Sequence, residues 1–152
     1  MSLQTDIIFV KALRSNAALI GRLPAGDVYN TAIALPDEQA ENADLPYVIV
    51  SFAGMNNQGW TKDDDFDGTT DQVTIGVEIA AKTRPELADM AIEVRRTLCD
   101  YFRAHEGEDG DAAYALIPDS MQLQAQGVQY DSDKPCYWQL LTFVCETEND
   151  YD

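Results

Sequence analysis

Residues 72–104, QVTIGVEIAAKTRPELADMAIEVRRTLCDYFRA, change their hydrophobic period part-way along, from two to nearly four. From Gln72 to Ala80 the aliphatics Val73, Ile75, Val77 and Ile79 alternate with Thr74, Gly76 and Glu78, which puts four apolar side chains on one face of a strand. Thr83-Arg84-Pro85-Glu86 then has the spacing of a helix N-terminus. The Thr83 hydroxyl can accept an early helical N–H while Glu86 reaches back, and Pro85 falls in the first turn, where its missing N–H has no helical partner. Leu87, Ala91, Val94, Leu98 and Phe102 follow as one stripe, with Arg84, Asp89, Glu93, Arg96, Asp100 and Arg103 mostly off it. The stretch predicts a strand feeding a long helix, about Arg84 to Ala104, with one face packed on a sheet.

Toward the N-terminus, Leu3, Ile7, Val10 and Leu13 predict a helix, and Asn16 can cap a short second one that Gly21 and Pro24 stop. Strands are expected from Asp27 to Ile33 and from Tyr47 to Ala53. The latter is so continuously apolar that both faces should be buried. Toward the C-terminus, Met121, Leu123 and Ala125 alternate with glutamines, and a dense apolar run spans Cys136 to Glu146. Asp131-Ser132-Asp133-Lys134-Pro135 between them supplies the turn of an antiparallel hairpin. The expected fold is α+β: a mostly antiparallel sheet of four to five strands, with the N-terminal helix and the long helix on one face. Residues 1–152 read as a single domain with long acidic loops at 54–71 and 105–120 and an acidic tail at 146–152.

Ten Lys and Arg against 27 Asp and Glu leave a net charge of −17. A chain so acidic cannot displace counterions from phosphates and is repelled by anionic lipid, so neither tight nucleic-acid binding nor a membrane partner is expected. The 45% of hydrophobic residues separates it from a disordered acidic tail. Cys99, Cys136 and Cys145 have no metal-ligand spacing and fit a reducing compartment, and the first residues carry no signal-peptide pattern.

No nucleophile has a partner base in sequence. The one histidine, His105, closes the long helix, where it reads as a favourable charge at a helix C-terminus rather than a catalytic group. No phosphate or dinucleotide fingerprint is present, so no catalytic residue and no cofactor are assigned and the chain is not expected to be an enzyme. Asp63, Asp65, Asp67 and Asp71, with Gly68 between them, match much of a calcium loop, but Thr74 stands where the bidentate Glu belongs and the flanks are not helices. Calcium is therefore only a weak candidate ligand. Met55, Trp60 and Phe66 in the same connection are candidate interface anchors.

Leu45-Pro46-Tyr47-Val48-Ile49-Val50-Ser51-Phe52, a polar loop, and Asp71 to Ile79 feeding Thr83 to Leu98 resemble the tail-completion (tail-terminator) proteins of long-tailed bacteriophages and prophages. The likeness runs from about Thr5 to Phe102 and rests on hydrophobic pattern more than identities. It implies a structural subunit that assembles into a ring, commonly of six, which terminates the tail tube and mediates joining to the head. It also implies tail-tube and head-tail connector proteins as partners, and a location in the bacterial cytoplasm during assembly and then in the virion tail. Carboxylates facing the channel of such a ring would repel passing DNA over about 8 Å at physiological salt. The alternative from another class is an acidic mimic of DNA that inhibits a nucleic-acid-binding protein. Nineteen of the 27 acids fall in expected loops or termini rather than in rows along rigid elements, which disfavours mimicry.

Overall fold

The computed structural model describes residues 5–30, 44–58, 70–104 and 121–148. Along the chain these form α1 (Thr5–Arg14), α2 (Ala17–Arg22), β1 (Tyr29–Asn30), β2 (Tyr47–Gln58), β3 (Thr70–Ala81), α3 (Arg84–Ala104), β4 (Gln122–Ala125), β5 (Gln129–Asp131) and β6 (Cys136–Glu148). The sheet has the order β1-β2-β3-β6-β4, with β5 also on β6. β4 pairs with residues 141–144 of β6 and β5 with residues 136–138, so both share one edge and six strands fill five positions. β1 runs parallel to β2 and every other pairing is antiparallel. The fold is α+β, as the sequence predicts.

β3 and α3 have the bounds expected of them within two residues, because each carries a strong period and a start signal. The Glu86 amide donates to Thr83 Oγ1 at 3.3 Å, which is the cap the sequence offers. Leu87, Val94 and Leu98 are fully buried, while Ala91 and Phe102 pack at the flank of the core. Met90 and Thr97, outside the expected stripe, are buried too. The contact face is wide because α3 packs on β3 and β6 and also against α1 and α2. Thr97 is drawn in by Asn16, whose side chain does two jobs: its Oδ1 accepts from the Ala18 and Leu19 amides, and its Nδ2 donates to Thr97 Oγ1 at 2.8 Å. Arg22 reaches Glu93 Oε2 at 2.8 Å beside it.

α1 departs from the predicted stripe. Ile7 is 38% exposed, and Phe9, Ala12 and Leu13 are buried along with Ile8 and Val10. The helix touches α2, α3, β2 and β3, so most of its circumference is covered and only the row Ile7, Lys11, Arg14 faces outward. Phe9 holds the junction: its ring lies 5.1 Å from Phe102 of α3 and 5.6 Å from Phe143 of β6, both tilted as aromatic quadrupoles prefer.

β2 is longer than expected. Gly54, Asn56 and Asn57 are poor strand formers, so the sequence reads as loop from Gly54 onward. The ladder partners Asp71 to Thr74 on β3 override that preference and carry the strand to Gln58. A bulge between Phe52 and Gly54 leaves Ala53 unpaired and shifts the alternation by one, so that Met55 follows Val48, Val50 and Phe52 onto the core side. The connection between β2 and β3 accordingly spans 59–69, not 54–71. The C-terminal hairpin forms as predicted. Its turn is set by the Asp131 side chain, which accepts from the Asp133 amide at 3.0 Å and the Lys134 amide at 3.4 Å.

Because Phe9 ties three elements together, Phe9→Ala is expected to cost about 3–5 kcal/mol. The exposed cap variant Thr83→Ala should cost about 1 kcal/mol. Urea denaturation followed by circular dichroism checks both. Equal losses would contradict this hierarchy.

Candidate assembly surface

The period of two in β3 sorts the whole sheet into two faces. Val73, Ile75, Val77 and Ile79 align with Met55, Phe52, Val50 and Val48 on β2, and the first three align with Cys145, Phe143 and Leu141 on β6. All of these join the cluster that α1 and α3 cover. The alternate residues face the other way. Tyr47, Ile49 and Ser51 of β2 lie beside Ala80, Glu78 and Gly76 of β3, which in turn lie beside Trp138, Leu140 and Thr142 of β6. Val144 continues the row.

Tyr47, Ile49, Trp138, Leu140 and Val144 are half-buried and belong to no part of the core cluster. Here β2 differs from expectation, since only one of its faces is fully buried. Gly76 lies at the centre of this second face. A Cβ there would meet Ser51 Oγ at 3.0 Å and Leu140 Cδ1 at 3.4 Å, so the glycine lets the Leu140 side chain lie flat across the strand.

Glu78 is the carboxylate at the middle of this face, which also carries Glu146 beside Gln72 and Asp131 beside Cys136. Burial pushes its carboxyl above the ordinary carboxylate range, partly offset by a hydrogen bond from the Tyr47 hydroxyl. Burial likewise pushes the Tyr47 phenol up, and the negative charge of Glu78 adds to the shift. Lys134 stands 5.5 Å from the Tyr47 ring centroid, a cation–π distance. Cys136, at the end of the same face, has its thiol pushed up by burial and then by Asp131, while Cys145 in the core is pushed up to about 12 by burial alone. These two buried thiols are poor nucleophiles at neutral pH. Cys99 is the exposed one.

The opposite side of the molecule is electrostatically different. The three helices among the described residues hold seven of the ten Lys and Arg but five of the 27 acids, so they carry a net +2 while the remainder of the chain carries −19. Ile92 stands out from α3 with 57% exposure, between Ala88, Arg95 and Arg96. Beside it a groove of about 850 Å³ opens between α3 and the α1–α2 corner, lined in part by Asn16, Asp89, Glu93, Arg96, Asp100 and Tyr101. The cations cluster where the acids do not, a pattern visible in the sequence once charge is summed separately over each expected helix.

Of the residues singled out in the sequence, Met55 is a strand residue packed toward the core, not a loop anchor. Asp71 is in β3 at 2% exposure, between Asn57 and Thr147 in the ladder, and so is not a loop residue either. Trp60, Phe66, Asp63, Asp65, Asp67 and His105 lie outside the described residues. Among the described residues no three His, Cys, Asp or Glu side chains are grouped to hold a metal, and no helix is long and apolar enough to cross a membrane.

The same architecture occurs in a virus-like particle. A chain of the solved structure titled "Virion of native gene transfer agent (GTA) particle" superposes with a TM-score of 0.54 at 14% identity, over 95% of this chain and 94% of that one. At that identity the likeness establishes a shared fold, end to end. No family model and no curated protein matches the sequence.

Glu78 makes the second face sensitive to pH. A carboxyl raised by folding holds its proton where the unfolded chain has already lost it, so its contribution is complete below the ordinary carboxylate range and is lost as pH rises through the raised value. Glu78→Gln, which keeps an acceptor for Tyr47, should melt at a higher temperature than wild type at pH 7 and coincide with it near about pH 3. A difference that stays constant with pH would contradict this origin.

Proposed function

We propose that this chain is a non-enzymatic assembly protein of a phage or prophage tail, forming a ring that terminates the tail tube and mediates joining to the head. The observation that carries the reading is the virion chain whose fold matches over nearly the full length of both chains, joined to the tail-terminator pattern running from β2 through α3. A ring needs two different surfaces on each subunit, and this fold has two of unlike character: a largely apolar sheet face with a half-buried carboxylate, and a layer of helices that is mixed in charge.

The acidic character suits a tube that must pass DNA without retaining it. With charge of −19 outside the helices, carboxylates facing the channel would keep phosphates at a distance. Tail-tube and connector proteins are the partners this role requires, in the host cytoplasm and then in the particle. Catalysis and cofactors have no part in it. Calcium on Asp63, Asp65 and Asp67 remains a secondary proposal, and heat on titrating the metal into chelator-treated protein would support it. The mimicry reading gains nothing from the fold, because the three described helices carry five of the 27 acids.

Deletion of the gene from an inducible prophage, followed by electron microscopy of the lysate, tests the proposal. Filled heads and separate tails, the tails abnormal in length or unjoined, are expected, with joining restored by the purified protein. Intact particles in normal number would overturn it.

A further inference from the structure

The core stripe of α3 uses one side of the helix, and a second apolar seam runs along the other. Pro85, Ala88, Ile92 and Cys99 are all exposed, Ile92 to 57%. With Arg95 they recur at spacings of three, four, three and four residues, the period at which one helix packs lengthwise along another. Asp89 and Arg96, both exposed, flank the seam on one side and lie seven residues apart, so they stand in one row, two turns from each other and opposite in sign. Both line the groove between α3 and the α1–α2 corner, which gives that flank room for side chains from outside. Neither takes part in a salt bridge among the described residues, where the two pairs are Arg14–Asp27 and Arg22–Glu93.

We propose that the outer seam of α3 docks antiparallel on the same seam of a second copy, Ile92 against its counterpart and Asp89 of each copy against Arg96 of the other. Charge complementarity selects both the partner and the direction. The midpoint between Asp89 and Arg96 falls beside Ile92, so an antiparallel pair centred there sets each acid opposite the other copy's arginine and makes two ion pairs at once. A parallel pair in register would set Asp89 on Asp89 and Arg96 on Arg96, like charges at both places. The surface is therefore complementary to itself in one orientation only. α3 holds four arginines and four acids and is neutral as a whole. Two copies that each carry −17 thus meet through a face that adds no net repulsion of its own. A contact that uses the same patch on both copies closes at two. It goes beyond the ring reading: it is a dimer of free subunits, formed on the helical side and leaving the second sheet face, on the far side of the sheet, for other contacts.

Charge reversal on this exposed row tests the contact without touching the core. Sedimentation velocity up to millimolar protein is expected to show wild type in monomer–dimer equilibrium. Asp89→Arg and Arg96→Asp should each weaken dimerisation about tenfold or more, because either change turns both ion pairs into like-charge contacts. The double reversal should restore it, and the two single variants should pair with each other when mixed. Disulfide trapping reads the direction. With Ile92→Cys in a Cys99→Ser background, diamide should cross-link the copies through the centre of the seam. Cys99 of wild type should not link to its counterpart, which the antiparallel arrangement holds about 21 Å away along the helix axis. The proposal is overturned if wild type stays monomeric at millimolar concentration, if the double reversal fails to recover association, or if wild-type Cys99 cross-links as readily as Ile92→Cys. A dimer that Asp89→Arg leaves unweakened also overturns it. None of these results bears on the ring, which the deletion experiment tests.

Discussion

A strand that alternates along its whole length has two faces, and one layer of helices can cover only one of them. That constraint organises this protein. β3 sits at the centre of the sheet, paired along all twelve of its residues with β6 and along most of them with β2. Its odd-numbered aliphatics commit one side to a core sealed by Phe9, Leu87, Val94 and Leu98. Its even-numbered residues, with Tyr47, Ile49, Trp138 and Leu140 from the flanking strands, build a second side too apolar for free solvent yet outside the core. A small domain with such a face gains by meeting another protein surface, which is what a component of an assembly requires.

Electrostatics then restricts what can meet it. The net charge of −17 is unevenly spread, because the three described helices are slightly cationic and the rest of the chain is strongly anionic. Copies repel one another at long range, and a ring of such subunits, as proposed above, needs concentration or a template to overcome that repulsion. The same uneven distribution separates an assembly subunit from a DNA mimic, whose acids would have to lie in rows along its rigid elements.

The parts of the fold visible in the sequence are those with a strong local signal. β3 and α3 are bounded by an alternating run and a cap, and the hairpin by Asp131 in its turn, so their placement follows from residues close together in the chain. The phase of α1 was not visible, because contacts from four other elements decide which side is buried and Ile7, although apolar, falls on the open row. The far end of β2 was hidden by Gly54, Asn56 and Asn57, residues that extend as strand only because β3 offers a ladder; the bulge that brings Met55 inward has no sequence signature. The candidate surface was legible in outline. The alternation of β3 implies a second face, but its apolar character depends on Trp138 and Leu140 arriving from more than fifty residues away, in a register that no local pattern sets.

The most direct test is a reconstruction by electron cryomicroscopy of the tail end of particles from the parent phage or prophage. A ring of this chain between tube and connector is expected. A particle lacking the chain at that position would contradict it.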